Sequence, residues 1–218
     1  MNDQQMLDAL QVKIKERAPN FEILFKDQNR FMKFIGKLLF FNKGFMTRFI
    51  TTIKEKVYWT TKEQFEEYPR GSFITLAHEY VHVMDYVARP VRFLLGYLFP
   101  QVLAVFSLLA LLAFVSPWFL LCLLSLLALT PSPAPFRKVA EMRGYGMSLK
   151  ASSWLQGPIS EEQINRYADQ FTTSAYFFMW PFEKNVKKEL NEWADPYNLK
   201  CLNDSNPAYK DVYDIIKA

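Results

Sequence analysis

Apolar and polar positions divide this chain into short elements on either side of one long run without charge. Met6, Leu7, Leu10, Val12 and Ile14 recur among charges over residues 3–17, which predicts an amphipathic helix that Pro19 and Asn20 end. Residues 21–25 alternate weakly and fit either a short strand or a helix start. A helix is predicted over 29–41, stopped by 42–44. The β-branched and aromatic residues of 45–52 and 56–60 predict strands. Thr60 or Thr61 then caps a short helix through 64–68, with Glu63, Glu66 and Glu67 as its first-turn and solvent-face charges. Residues 69–71 read as a turn before a helix that ends at Arg89 and Pro90. Further helices are predicted over 139–155, 160–178, 183–193 and 208–217, with Ser160 and Gln163 forming a capping box. The pattern describes an α+β chain, mostly helical, with a short sheet and no internal repeat.

The charge-free run covers residues 93–130. As one helix its roughly 38 residues would measure about 57 Å, against a hydrocarbon core of about 30 Å. Two spans of roughly 18 residues fit better, turning at Ser116 and Pro117. Pro100 can kink the first half. A re-entrant hairpin or a buried hairpin in a soluble core are the other solutions, but leucines on every face of 120–129 disfavour burial in a core. Arg89 and Arg92 precede the run, and Arg137, Lys138 and Arg143 follow it, so both ends belong on the cytoplasmic side. The expected organisation is one domain in two pieces, 1–92 and 131–218, around a membrane hairpin at 93–130. Pro131, Pro133 and Pro135 stiffen the exit.

Composition narrows the function. The 218 residues are 50% hydrophobic and 17% aromatic, with a net charge of only +4. No Lys/Arg run argues for nucleic acid. Two cysteines, Cys122 and Cys201, form no disulfide framework, and the polar N-terminus is not a secretory signal. The expected location is therefore an integral membrane protein whose main domain faces the cytoplasm.

Candidate chemistry concentrates in residues 75–86. His78, Glu79 and His82 have the spacing H-E-x-x-H, and these are the only histidines in the chain. Four residues apart on a helix, the two imidazoles share a face and can converge on one zinc ion. Glu79, about 100° round the helix, can reach a metal-bound water. A core helix with two satisfied histidines is the plainer reading, but it leaves Glu79 buried without purpose. A catalytic zinc needs a third protein ligand. No histidine remains, so a carboxylate is expected. Asp85 is about 10 Å along the axis from His78, which suits a partner for a histidine ring N–H or for Arg89 better than a ligand. Glu141 is the favoured third ligand, because a hairpin that folds back returns it to the motif's side. Its alternative role is an exposed ion pair with Lys138. Glu161 and Glu162 are rivals explained by their first-turn position, and Asp169 is a more distant one.

These features resemble the zincin metallopeptidases, and among them the gluzincins, whose zinc is held by two motif histidines and a downstream glutamate. Membrane-bound HtpX-like and CAAX prenyl proteases, and minimal gluzincins, are the nearest comparison. The resemblance covers about residues 56–155. It implies a zincin core of short sheet, motif helix and ligand-glutamate helix, with residues 56–60 as the edge strand that pairs with substrate. It implies His78, His82 and Glu141 as Zn2+ ligands and Glu79 as general base. A donor for the oxyanion is then needed, and Tyr145, one turn from Glu141, is the first candidate, with Arg143 beside it and Tyr167 behind. The expected function is a membrane-anchored zinc metalloendopeptidase acting on polypeptides, membrane-associated ones included. The alternative is a non-catalytic zincin-like membrane scaffold or binding protein.

Overall fold

The computed structural model describes residues 1–218 except 41, 43, 131, 174–177 and 196. Those residues build a mostly helical protein with one three-stranded sheet. Helix α1 (Asp3–Arg17) starts at a capping box in which the Asn2 side chain accepts from the Gln5 amide and the Gln5 side chain accepts from the Asn2 amide. Strand β1 (Glu22–Phe25) follows, then α2 (Arg30–Leu38), where the Asn29 side chain accepts from the Met32 amide at 3.0 Å.

The strand expected over 45–52 is reduced to β2 (Thr51–Ile53). The reason is Lys26, which is fully buried. Its Nζ donates to the carbonyls of Phe45 and Phe49 and to Thr51 Oγ1, each at 2.7 Å. Those carbonyls serve a lysine instead of a ladder, so the backbone before Thr51 turns. Burial lowers the Lys26 pKa to about 8.

Strand β3 (Lys56–Trp59) pairs parallel with β1 and antiparallel with β2, so the order is β1-β3-β2. Residues 56–60, expected at the edge, therefore supply the central strand. Val57, Tyr58 and Trp59 are buried in succession, which requires cover on both faces and both sides. The edge nearest the motif is β2.

Thr61 caps α3 (Lys62–Glu67), accepting from the Gln64 amide at 3.2 Å. No turn separates it from α4 (Pro69–Ala88), because Pro69 occupies a first-turn position where its missing N–H costs nothing. Helix α4 is the axis of the domain and is buried from Ser72 to Met84 except at Ile74 and Thr75. Its Tyr80 hydroxyl donates to Asp211 at 2.7 Å, and Arg17 donates twice to the same carboxylate at 3.2 Å. Helix α4 is thereby fixed to α1 and to the C-terminal helix.

The apolar run is divided differently from the two equal spans expected. Helix α5 (Pro90–Leu98) takes its first residues. Two 3₁₀ helices, Gln101–Phe114 and Pro117–Leu129, then pack against each other as a hairpin turning at 115–116. Chain direction bends by 85° between α5 and the first of them, around Pro100. No single described helix is long and apolar enough to cross a membrane, although that bent pair passes on length and composition. Arg137 ties the foot of the hairpin together by donating to the Tyr97 carbonyl at 2.8 Å and to Gln101 at 2.7 Å.

Helix α6 (Pro135–Gln156) returns to the domain and packs along α4. Helices α7 (Glu161–Thr172) and α8 (Glu183–Ala194) close a second core on α6 around Met142, Leu149, Ile164, Phe171 and Leu190. Ser160 caps α7 as expected, accepting from the Gln163 amide at 3.2 Å. That helix ends at Thr172, and most of its expected extension falls on 174–177, outside the described residues. Helix α9 (Ala208–Lys217) packs on α1, α4 and α6 and completes the core around α4 that holds Leu10, Val57, Leu76 and Val212.

Candidate metal centre

Helices α4 and α6 form the site between them. In α4, one turn separates His78 from His82, and their Nε2 atoms lie 3.1 Å apart. From α6, Glu141 Oε2 lies 3.5 Å from His78 Nε2 and 3.9 Å from His82 Nε2. A circle through a triangle of these sides has a radius of about 2 Å, close to zinc–ligand lengths of about 2.0–2.2 Å. The three residues are buried and can hold a metal ion between them.

Glu141 is 1% exposed, and its Oε2 makes no hydrogen bond among the described residues. A carboxylate oxygen buried without a donor is costly, and a cation at the convergence point removes that cost. The other oxygen accepts from the Tyr97 hydroxyl at the foot of the hairpin. Burial pushes the Glu141 pKa up, but His78, His82 and the Tyr97 hydroxyl more than offset this and hold it at about 2. Burial works against a proton on His78, yet Glu141 and Glu79 raise its pKa on balance. His82 is lowered, chiefly by burial.

Gly144 makes the close approach of the two helices possible. A Cβ at that position would sit 2.6 Å from His78 Nε2, so only glycine lets α6 lie against the imidazole.

Glu79 stands beside His78 on the floor of a cleft. Its Oε2 accepts from the Thr52 hydroxyl of β2 at 2.6 Å, which fixes the carboxylate's orientation. Tyr145 packs its ring edge-on to His78, with centroids 4.7 Å apart, and leans on Tyr167 and Phe171 from α7. It lines the cleft together with Glu79.

The other sequence candidates lie elsewhere. Arg143, on a different face of α6, donates to Asp85 at 2.7 Å and to Asp204 at 2.8 Å, so it holds α4 and the C-terminal region together and does not face the site. Asp85 takes that ion pair and a hydrogen bond from Asn206 at 2.9 Å, and serves neither a histidine nor Arg89. His82 Nδ1 accordingly has no partner among the described residues. Lys138 pairs with Glu189 at 2.5 Å, not with Glu141. Glu161, Glu162 and Asp169 are exposed on α7 and outside the triad. Two contributors escaped the sequence reading. Tyr97 was concealed as one aromatic among many in an apolar run, although it carries one of the few hydroxyls there. Thr52 had no signal beyond its place in a predicted strand.

No protein-family model matches this chain, and no curated protein or solved structure does.

Proposed function

We propose that this protein is a zinc metalloendopeptidase of the gluzincin type, held at a membrane by its apolar hairpin. One observation carries the reading: Glu141 presents an unpartnered, buried carboxylate oxygen to both motif imidazoles, with Glu79 on the cleft floor next to them. Two imidazoles and one carboxylate are the donor set of a catalytic zinc with a position left open. Zinc bound there supplies Lewis acidity, acidifying a water and polarising a carbonyl. Glu79, steadied by Thr52, takes the proton of the attacking water and hands it to the leaving amine. Tyr145 is the candidate donor to the oxyanion, from its place in the cleft wall. Arg143 is already committed to two carboxylates and is not used.

The hairpin supports membrane attachment. Its leucines and aromatics face outward, with Phe114 85% and Trp118 77% exposed. A 3₁₀ helix rises about 2.0 Å per residue, so the 14 residues of Gln101–Phe114 extend about 28 Å, enough to reach into a hydrocarbon core of about 30 Å without a crossing. Basic residues at both feet, Arg89, Arg92, Arg137 and Lys138, favour the cytoplasmic side for the catalytic domain. Polypeptides in or beside the membrane are then the accessible substrates.

Metal analysis of the purified protein tests the reading, with Glu141→Ala and Glu79→Gln beside the parent. Stoichiometric zinc in the parent, loss in Glu141→Ala, and retained zinc without peptide hydrolysis in Glu79→Gln are expected. A parent protein that folds and binds a partner without zinc points instead to a scaffold.

A further inference from the structure

The cleft differs on its two sides, and the difference bears on what it would cut. His78, Glu79, Phe49 and Ile50 line both of two pockets that meet at the cleft floor. The first, about 450 Å³, lies between α2, β2 and α5, and Ile35, Leu39, Phe45, Phe93 and Leu98 give it an apolar wall. The second, about 400 Å³, lies between residues 48–50 and helices α6 and α7. It carries Arg48 and Arg166, with Gln163 and Gln170 beside them. Glu79 is the only acid among its described lining residues. Arg48 and Arg166 are exposed, and neither forms an ion pair among the described residues. Their charge is therefore available to a ligand.

Strand β2 is bonded to β3 on one side only among the described strands. An extended chain laid along its other edge would run past Thr52 and Glu79 and put its side chains to either hand. Resting on the peptidase reading, we propose that the substrates are polypeptides bearing a bulky apolar residue on one side of the scissile bond and an acidic residue on the other. The apolar residue fills the pocket at the foot of the hairpin, where removal of its surface from water provides the affinity. The acidic residue meets the guanidinium groups of Arg48 and Arg166, whose planar N–H forks suit a carboxylate.

The test uses fluorescent decapeptides pairing Phe with Asp, Lys or Ser across a central bond, in both orders, and Ser in place of Phe as a further control. Binding is read by anisotropy on zinc-loaded Glu79→Gln protein in detergent, and cleavage on the parent. We expect the Phe/Asp peptide of one order to bind about tenfold more tightly than its Phe/Lys counterpart. Arg48→Glu/Arg166→Glu in the same background should reverse that preference at unchanged zinc content. Equal binding of Asp and Lys peptides, an acid preference that survives the double substitution, or no loss on replacing Phe by Ser overturns the proposal. Selective binding without any cleavage by the parent upholds recognition of the peptide by the two pockets and defeats the peptidase reading, and with it the assignment of these peptides as substrates.

Discussion

Two stretches of this protein are nearly free of charge and have opposite fates. Residues 73–84 of α4 carry a single carboxylate and are buried almost throughout, whereas residues 93–130 carry no charge and leave most of their large side chains exposed. Hydrophobicity alone does not separate them. The difference lies in the neighbours: α4 is wrapped by α1, α6, α9 and the sheet, while the two arms of the hairpin meet mainly each other. Polar groups in the buried stretch are consequently few and each has a task. Tyr80 anchors the helix to Asp211, and His78, Glu79 and His82 face the cleft. In the exposed stretch the polar groups with a task, Tyr97 and Gln101, sit at its foot beside Glu141 and Arg137, and the arms beyond them are apolar.

The contrast can be broken at several points. The largest effect is expected from Glu79→Gln, which should lower peptide hydrolysis by about 10²–10⁴-fold while thermal unfolding barely changes; a matching loss of stability would make Glu79 a structural residue. Leu76, fully buried in α4, should cost about 2–5 kcal/mol on replacement by Ala, whereas Leu111→Ala at the 75% exposed hairpin position should cost under about 0.5 kcal/mol. Urea denaturation in detergent measures both, and equal values would abolish the distinction between the stretches. Leu108→Arg places a charge on the hairpin and should weaken insertion into liposomes by about 2.5–3.5 kcal/mol. Co-flotation that is indifferent to this change would remove lipid as the hairpin's partner. Gly144→Ala forces a methyl against His78 and should cost about 1–3 kcal/mol through overpacking, with a parallel drop in zinc affinity; unchanged affinity would show that α6 can retreat without moving Glu141.

The most gradual effect is expected on pH. Protons compete with metal for the imidazoles. The raised pKa of His78 means that its proton competes from above pH 6.5 downwards, while the lowered pKa of His82 delays its competition to below 6.5. Glu141, held at about 2, stays ionised throughout. Zinc affinity should therefore fall on acidification by about tenfold per pH unit at first, then more steeply as the second proton enters. Chelator competition between pH 5 and 8 measures this, and a pH-independent affinity would exclude the histidines as ligands.

Much of the fold can be read from local signals. Helices α1, α8 and α9 follow from apolar spacing, and Thr61 and Ser160 mark their helix starts by side-chain oxygens that accept the N3 amides. The convergence of His78, His82 and Glu141 also follows from local facts, since spacing pairs the histidines and a hairpin that folds back returns the glutamate. What is not legible depends on distant partners. The central position of β3 is set by which strands pair, not by its own residues. The shortening of β2 depends on Lys26, 25 residues earlier, reaching Thr51. Asp85 looks available along α4, yet Arg143 and Asn206 claim it from far along the chain. The two 3₁₀ helices are likewise invisible to a pattern that is apolar on every face.

The return of α6 onto α4 also has a topological meaning. A metal gripped by His82 and Glu141 closes a ring of about 60 residues that contains the whole hairpin, much as a disulfide would. Cross-linking a loop of that size removes enough freedom from the unfolded chain to stabilise the fold by about 4 kcal/mol. Such an ion would then serve as the clasp of the apolar hairpin, so chelation should loosen the hairpin's two feet together with the site between them.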